Sequence, residues 1–347
     1  MQEILSLQKK VVPELVDVLD KRYSILRTIY YNQPIGRRVL ANQLDISERI
    51  VRTEVSFLKS QNLIDINTPG MTVTEEGKEI VDKLKDFIHE IKGLSDIEDN
   101  IKSFLGLKDV LIVPGDVEKN KTILKEIGKA TANYLKSIIK DNNIIALTGG
   151  NTIKEFVEAM PRMSNISNVL VLPARGGMGR KVEIQANTLA ASLAQKLNGS
   201  YKMLHIPENL SLKLLDTLLK EKEVKEVIDN IHKADILIYG IGEALLMAEK
   251  RDVSEEEYNS LKSLGAVGEA FGCYFNKESK VVSENTSIGI NINEARKINT
   301  HIAVAAGENK VDAIIATMRN NHNAVLVTDE SAGRKIVEYI KKHNKNA

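Results

Sequence analysis

The chain has 347 residues, of which 43% are hydrophobic and 27% are charged, with 48 Lys and Arg against 47 Asp and Glu. This length predicts two or three domains, and the composition predicts a buried core and excludes a largely disordered chain. Because the charges balance, only their distribution can indicate a partner.

The single cysteine, Cys273, excludes an intrachain disulfide and fits a reducing compartment. The first residues lack the apolar core of a signal peptide, and no apolar run is long enough to cross a bilayer. We therefore expect a cytoplasmic protein without a membrane partner.

The chain begins with an apolar stripe at helical spacing, formed by Ile4, Leu7, Val11, Leu15 and Leu19. This stripe predicts a helix upstream of the next folded unit. It either covers the core of that unit, which is the default, or pairs with a second subunit.

Three helices and a hairpin are predicted between Lys21 and Val73. Pro34 separates the first helix from the second, and Ser47 is expected to cap the third. Two short alternating strands flank Pro69 and Gly70, which predicts a hairpin. This order of elements predicts a winged helix-turn-helix domain.

Basic residues are concentrated in this part of the chain, with eight basic and three acidic residues from Lys21 to Leu63. Such an excess is typical of a protein that binds the phosphate backbone of double-stranded DNA, although helix-turn-helix units also bind proteins. Polar side chains on the exposed face of the third helix can reach base edges in a major groove. The candidate DNA-binding residues are Arg37, Arg38, Ser47, Arg49, Arg52, Thr53, Ser56 and Lys59.

A helix start at Thr74 leads into an apolar stripe from Ile80 to Ile91, which predicts a linker helix and a candidate dimer contact. We therefore assign residues 1–92 to a DNA-binding domain with its linker helix, and residues 93–347 to an effector-binding domain. Because an operator with two half-sites needs two reading domains, we expect a homo-oligomer, a dimer or a tetramer.

After residue 109, short apolar runs alternate with helical patterns, which predicts a Rossmann-like, doubly wound α/β domain with a mostly parallel sheet. The ligand crevice of such a sheet lies at the carboxyl ends of its strands. The predicted strands are residues 110–113, 144–147, 169–172, 201–204, 236–239, 286–290, 302–305 and 324–327. The predicted helices are residues 119–140, 183–197, 210–219, 224–232, 311–318 and 330–341.

The apolar strand 144–147 is followed by Gly149 and Gly150, and Thr152 opens a helical pattern. A strand, a glycine turn and a helix start bring free N–H groups to the positive end of a helix dipole, which binds phosphates. Asn151 and Thr152 can add side-chain donors. The alternative is a plain strand–helix turn.

Charged residues follow several other predicted strands. Arg175 lies between an apolar strand and two glycines, where an arginine needs an anionic partner. Together with Lys250, Arg251 and Lys310 it predicts a ligand with phosphates at both ends, whose hydroxyl groups Glu269 could bind. The sequence has no phosphate-binding G-x-x-x-x-G-K-[ST] motif, no G-x-S-x-G motif and no metal-ligand spacing of His or Cys, so no enzyme activity is indicated.

Over essentially its whole length the chain resembles the sugar-binding transcriptional regulators of the sorbitol and deoxyribonucleoside regulator class. The segments that carry the resemblance are Gln33–Arg38, Ile46–Arg49, Phe57–Lys59, Gly70–Gly77, Thr148–Gly150, Pro173–Gly177, Gln185–Asn187, Gly240–Glu243, Glu269–Gly272 and Val327–Glu330.

The resemblance implies a repressor of glycolytic genes whose effector domain is similar to sugar-phosphate isomerases and deaminases but has lost their chemistry. It also implies that fructose-1,6-bisphosphate is the inducer. We expect no cofactor. The effector-binding residues that it implies are Gly149, Gly150, Asn151, Thr152, Arg175, Gln185, Lys250, Arg251, Glu269 and Lys310.

Two of these residues depart from the family pattern. Asn151 stands where a hydroxyl residue is expected, and Lys250 stands where an arginine is expected. Both can donate to phosphate, but a lysine lacks the bidentate fork of an arginine. Two other hypotheses stay open, an active sugar-phosphate isomerase or deaminase with an N-terminal appendage and a winged helix that binds protein.

Overall fold

The computed structural model describes residues 11–176, 181–206, 217–284 and 288–344. The chain divides into two compact units, Met1–Ile97 with Pro114–Ile123, and Glu98–Val113 with Leu124–Ala347. The first unit thus takes in a short segment from within the α/β part of the sequence, which the sequence pattern does not predict.

The first unit is a winged helix-turn-helix, as the sequence predicts. Its two strands pair in antiparallel fashion around the turn at Gly70. Its elements are α1 Pro13–Asn32, α2 Arg37–Leu44, α3 Glu48–Ser60, β1 Ile64–Asn67, β2 Gly70–Val73 and α4 Glu75–Ile91.

Side-chain caps set the starts of two of these helices. The hydroxyl of Ser47 accepts a hydrogen bond from the N–H of Ile50 at 3.3 Å, and that of Thr74 accepts one from Gly77 at 3.1 Å. Each bond satisfies a donor that the first helical turn leaves without an intrahelical partner. Both starts were predicted from the sequence.

The helices of this unit correct one prediction. Helix α1 is continuous, so the stripe that includes Leu15 and the following helix belong to one element, while Ile4 and Leu7 lie outside the described residues. In α4, Val81 and Ile88 are buried in the core of the unit, whereas Ile80 and Leu84 of the stripe are partly buried against it, so the dimer contact stays a prediction. Two apolar residues of the N-terminal stripe are exposed among those described, Val11 at 77%, just before α1, and Leu15 at 64%.

The second unit is an α/β domain, as predicted. Its elements are α5 Leu94–Leu105, which continues from the first unit, β3 Asp109–Val113, α6 Thr122–Ile138, β4 Ile144–Leu147, α7 Asn151–Ala159, β5 Leu170–Pro173, α8 Ala186–Lys196, β6 Ser200–Tyr201, α9 Lys222–Ile231, β7 Ile236–Glu243, α10 Ala244–Lys250, α11 Glu255–Ser263, β8 Ala266–Ala270, β9 Cys273–Asn276, β10 Val281–Glu284, α12 Ile292–Ala295, β11 Thr300–Val304, α13 Val311–Met318, β12 Ala324–Asp329 and α14 Glu330–Asn344. Two 3-10 turns, Val182–Ile184 and Glu308–Lys310, precede α8 and α13.

Seven parallel strands form the main sheet in the order β6-β5-β4-β7-β11-β12-β3. Strands β5 and β6, which follow β4 in the chain, lie on one side of β4. Strands β11 and β12 lie on the other side, beyond β7. The switch point of this doubly wound sheet therefore lies between the carboxyl ends of β4 and β7, where ligands bind in open α/β sheets.

The sheet has an antiparallel extension that the sequence pattern does not predict. Strand β7 does not end at Tyr239 but runs on to Glu243, and its second half pairs with β8, which leads into β9 and β10. The predicted loop from Gly240 to Gly242 is therefore wrong. A Cβ on Gly242 would overlap the side chain of Met247, so this glycine permits close packing rather than a turn.

Three smaller predictions also need correction. The predicted strand 286–290 is absent in its described part, where Gly289 forms only an isolated bridge to Arg175. The predicted helix 119–140 begins at Thr122, because the side chain of Asn120 accepts from its N–H. The predicted strand 201–204 is reduced to Ser200–Tyr201, and the predicted helix 210–219 lies mostly outside the described residues. None of the helices in the described ranges is long and apolar enough to span a bilayer.

Candidate functional site

The first candidate surface is the exposed face of α3. Val51, Val55 and Leu58 are buried, as predicted, whereas the polar candidates on the other face are exposed. These exposed residues are Arg49, Arg52, Thr53, Ser56 and Lys59. The face therefore presents three cations and two hydroxyl groups beyond the cap at Ser47.

Two of the basic residues in this region are not part of that surface. The guanidinium of Arg22 contacts the carboxylate of Glu54 at 2.9 Å and lies 3.6 Å from the centre of the Phe57 ring. Arg27 is only 4% exposed and donates to the carbonyl of Pro114. Arg22 and Arg27 therefore contribute to the excess of basic residues in the sequence, but their guanidinium groups are engaged in contacts within the protein.

At the start of α2, Arg37 and Arg38 are exposed, as a phosphate-binding role requires. Arg38 has one distant carboxylate neighbour, Glu48, at 3.8 Å. Val39 and Ile50, which the sequence pattern does not indicate as candidates, are 52% and 39% exposed on α2 and α3. Their apolar side chains can contact thymine methyl groups, and their exposure could not be read from helical spacing alone.

The second candidate site is the loop after β4. Helix α7 begins at Asn151, one residue earlier than predicted, and Gly150 at its N-cap position has φ 120° and provides no side-chain cap. The N–H groups of the first helical turn are therefore available to a ligand. The N–H of Gly150 is not, because it donates to the carbonyl of Ile184 at 2.9 Å.

A second helix begins beside this loop. Gln185 occupies the N-cap position of α8 and its side chain does not cap the helix. A Cβ on Gly149 would lie 2.5 Å from the carbonyl oxygen of Ile184 and 3.2 Å from the nitrogen of Ala186. Only a glycine therefore allows the loop to approach the start of α8, and the N-termini of two helices lie side by side.

Arg175 follows β5, the strand next to β4, and is only 7% exposed. Its backbone bridges to Gly289. A Cβ on Gly272, which has φ 85°, would overlap the guanidinium of Arg175. The guanidinium of Arg175 thus packs against the backbone at position 272, where only a glycine fits.

Arg251 and Glu269 form a buried ion pair at 2.8 Å, with side chains 4% and 5% exposed. Arg251 also donates to the hydroxyl of Tyr274 at 3.0 Å, and Glu269 accepts from the N–H of Gly272. Burial alone lowers the pKa of Arg251, but the charge of Glu269 and the bonds to Glu269 and Tyr274 outweigh it, so the pKa is raised. The ion pair is thus buried and held in place, and Gly272, which donates to Glu269, also contacts the guanidinium of Arg175.

The two remaining candidates are Lys250 and Lys310. Lys250 is exposed at the end of α10. Lys310 ends the 3-10 turn after β11, a turn that packs against β7. That turn is anchored by the side chain of Asp329, which accepts from the N–H of Gly307 at 3.0 Å. The structure therefore brings the β4 loop together with the start of α8, and Arg175 together with the segment that holds the ion pair.

A cavity of about 500 Å³ lies at the other end of the sheet, beside His301 at the start of β11. Burial lowers the pKa of His301, whose ring contacts the carbonyl of Ala295 at 2.8 Å. Arg296 and Arg319, which also line the cavity, directly follow α12 and α13. Within the described ranges no cluster of His, Cys, Asp and Glu could hold a metal ion.

Family models match both parts of the chain. Residues 18–88 match the family described as "CggR N-terminal DNA binding domain". Residues 89–338 match the family described as "Putative sugar-binding domain". Together the two matches cover the exposed polar face of α3 and all the candidate effector-binding residues.

Full-length relatives and solved structures agree with these matches. The central glycolytic genes regulators of Bacillus subtilis strain 168 and Priestia megaterium are 42% and 38% identical over 97% of this chain and 99% of their own. The structure of a SorC-family transcriptional regulator from Enterococcus faecalis, 35% identical, has a TM-score of 0.66 over 70% of this chain and 99% of that one. The full-length sorbitol operon regulator from Klebsiella pneumoniae, 19% identical, has the same fold with a TM-score of 0.66 over 90% and 96% of the two chains. The chain therefore belongs to the family of the central glycolytic genes regulators, within the SorC-type sugar-binding transcriptional regulators.

Proposed function

We propose that this chain is a transcriptional repressor of glycolytic genes that releases its operator when fructose-1,6-bisphosphate binds to its α/β unit. The observation that carries the proposal is the pair of uncapped helix starts at the switch point of the sheet. A site built from backbone N–H groups and two helix dipoles favours a phosphate.

The second phosphate of the sugar needs a separate group of cations. Arg175 follows the strand adjacent to the β4 loop, and Arg251 is held behind it through Glu269 and Gly272. We assign the contact with the second phosphate to Arg175 and to the lysines at positions 250 and 310. Glu269 is assigned to the sugar hydroxyl groups, and its ion pair with Arg251 keeps its carboxylate in place.

The operator is read by α3 from two subunits. The side chains of Arg49, Arg52 and Lys59 share the exposed face with two hydroxyl groups, and such side chains contact bases and phosphates in a major groove. Arg37 and Arg38 at the start of α2 are assigned to the phosphate backbone. Effector binding then weakens the operator complex by favouring a conformation that reads DNA poorly.

Thermal unfolding in the presence of sugar phosphates tests the assignment of the effector. A ligand that binds the folded state raises the melting temperature in proportion to the logarithm of its concentration above Kd. We expect fructose-1,6-bisphosphate to stabilise the protein more than fructose-6-phosphate, fructose-1-phosphate or inorganic phosphate at equal concentration. Equal shifts for all four compounds would contradict a site for two phosphates.

A further inference from the structure

We propose that helix α6 couples the effector loop to the DNA-reading helix, through a hydrogen-bonded contact between the start of α6 and helix α1. This inference rests on the proposed function, because it describes how the same effector site controls the operator complex. It assigns a role to the segment Pro114–Ile123, which belongs to the winged-helix unit although it is flanked on both sides by the α/β unit.

The first contact joins α6 to the helix that carries the effector loop. A Cβ on Gly128 of α6 would lie 2.5 Å from the carbonyl oxygen of Glu155 and 2.9 Å from the nitrogen of Phe156 in α7. The two helices therefore touch through their backbones, with no side chain between them. Because packed backbones do not deform gradually, a shift of α7 on binding phosphate at Asn151 and Thr152 displaces α6 as well.

The second contact joins the start of α6 to α1. The amide of Asn32 donates to the hydroxyl of Thr122 at 2.8 Å, and the amide of Asn120 contacts the hydroxyl of Thr28 at 3.3 Å. Thr28 and Thr122 are 0% and 2% exposed. A buried polar contact is costly to leave unmade, so these bonds hold the start of α6 on α1.

The other end of the segment is held in the same way. Arg27 of α1 donates to the carbonyl of Pro114 at 3.1 Å. A Cβ on Gly115, which has φ 117°, would lie 3.3 Å from the guanidinium of Arg27. The segment is therefore fixed to α1 at the point where β3 ends and again at the point where α6 begins.

The last contact joins α1 to the reading helix. Arg22 of α1 forms the ion pair with Glu54 of α3 at 2.9 Å and stacks on Phe57 of the same helix. A change in the position of α1 thus reaches α3 through a charged and a stacking contact. The complete route runs from α7 through α6 and α1 to α3. The contact between α7 and α6 lies in the second unit, and the contacts of residues 114–123 with α1, and of α1 with α3, lie in the first.

The test measures the coupling itself, because the existence of a route does not establish that it carries free energy. Operator affinity is measured with and without saturating fructose-1,6-bisphosphate in the full-length chain, and the ratio of the two dissociation constants is the coupling factor, typically about 5- to 150-fold. The test variant is Thr28→Val/Thr122→Val, which keeps the shape of both side chains and removes both hydroxyl groups. The matched control is Thr131→Val, since Thr131 is also fully buried and lies in α6 but bonds to Ile127 within its own helix.

We expect the double variant to bind the sugar and the operator separately as well as the unchanged chain does, with its coupling factor reduced to less than about a third. The control should keep the full factor. A double variant with an unchanged factor overturns the inference and leaves the proposed function standing. A parent chain without any response to the sugar overturns both.

The single variants Thr28→Val and Thr122→Val cover the case in which the double variant fails to fold. Each removes one hydroxyl group, and we expect each to lower the coupling factor to a smaller extent than the pair. Folded single variants that both keep the full factor overturn the inference.

Discussion

Removal of the Thr152 hydroxyl tests the effector loop with the least disturbance to the fold. Thr152 is the second residue of α7, is partly buried, and does not cap the helix. We expect Thr152→Ala to weaken binding of fructose-1,6-bisphosphate by about tenfold to a hundredfold. A lost hydrogen bond to a charged group costs about 1.5–3 kcal/mol, and about 1.4 kcal/mol is a factor of ten. Isothermal titration calorimetry measures the change directly.

The stability of the variant and its operator affinity separate a ligand contact from a structural one. Because alanine favours helix formation, we expect a change of less than about 1 kcal/mol in the free energy of unfolding by urea, and unchanged operator binding without sugar. The control is Thr317→Ala, which removes a helical hydroxyl that donates to the carbonyl of Ala313 at 2.8 Å and should not affect sugar binding. Unchanged sugar affinity in Thr152→Ala would refute the assignment, and loss of folding would show that the loop is a plain strand–helix turn. Arg175→Ala should abolish the response in the same way.

Four further predictions follow from the structure. Arg52→Ala should weaken specific operator binding by about 1–3 kcal/mol and relax base preference, and an unchanged affinity in fluorescence anisotropy would remove this residue from the reading set. Glu269→Gln should lower the free energy of unfolding by about 3–5 kcal/mol, because it leaves Arg251 buried without its carboxylate; a urea midpoint equal to that of the unchanged chain would contradict this. Burial raises the pKa of Cys273 to about 12, so the thiol should react with dithionitrobenzoate at pH 8 only as the protein unfolds, and rapid reaction of the folded protein would be inconsistent with its burial. The chain should be at least a dimer in sedimentation equilibrium, consistent with the exposed Val11 and Leu15 and with two half-sites, and a monomer mass with and without operator would contradict the proposal.

Much of the fold could be predicted because the local signals are strong. The start of α3 was predicted from Ser47, which is a good helix cap, and its buried face from apolar residues at helical spacing. Strand β4 was predicted with its observed limits because it is a continuous apolar run ending at glycines. Such signals depend on neighbouring residues only.

The antiparallel extension could not be predicted in the same way. Strands β8, β9 and β10 have only four or five residues each, and β8 contains a glycine and a glutamate. Glu269 is buried there because Arg251 neutralises it, a pairing that no local pattern reveals. Strand β7 likewise continues through two glycines, which normally indicate a loop.

The candidate site was predicted in its residue types rather than in its arrangement. The sequence indicated a glycine loop and several nearby cations, but not that the N–H of Gly150 is already used by Ile184 or that α8 begins beside the loop. The contacts of α1 with Pro114 and Asn120 join residues about 90 positions apart, so only the folded chain shows them. Long-range contacts of this kind are set by packing and leave no periodic signal.

The most direct test of the central claim is a titration of the operator complex with sugar phosphates, followed by fluorescence anisotropy of labelled operator DNA. We expect fructose-1,6-bisphosphate to release the DNA at concentrations at which fructose-6-phosphate and inorganic phosphate have no effect. The salt concentration must be held constant, because phosphate contacts make DNA binding strongly salt-dependent. An operator complex that persists at saturating fructose-1,6-bisphosphate, or that inorganic phosphate dissociates equally well, would contradict the account.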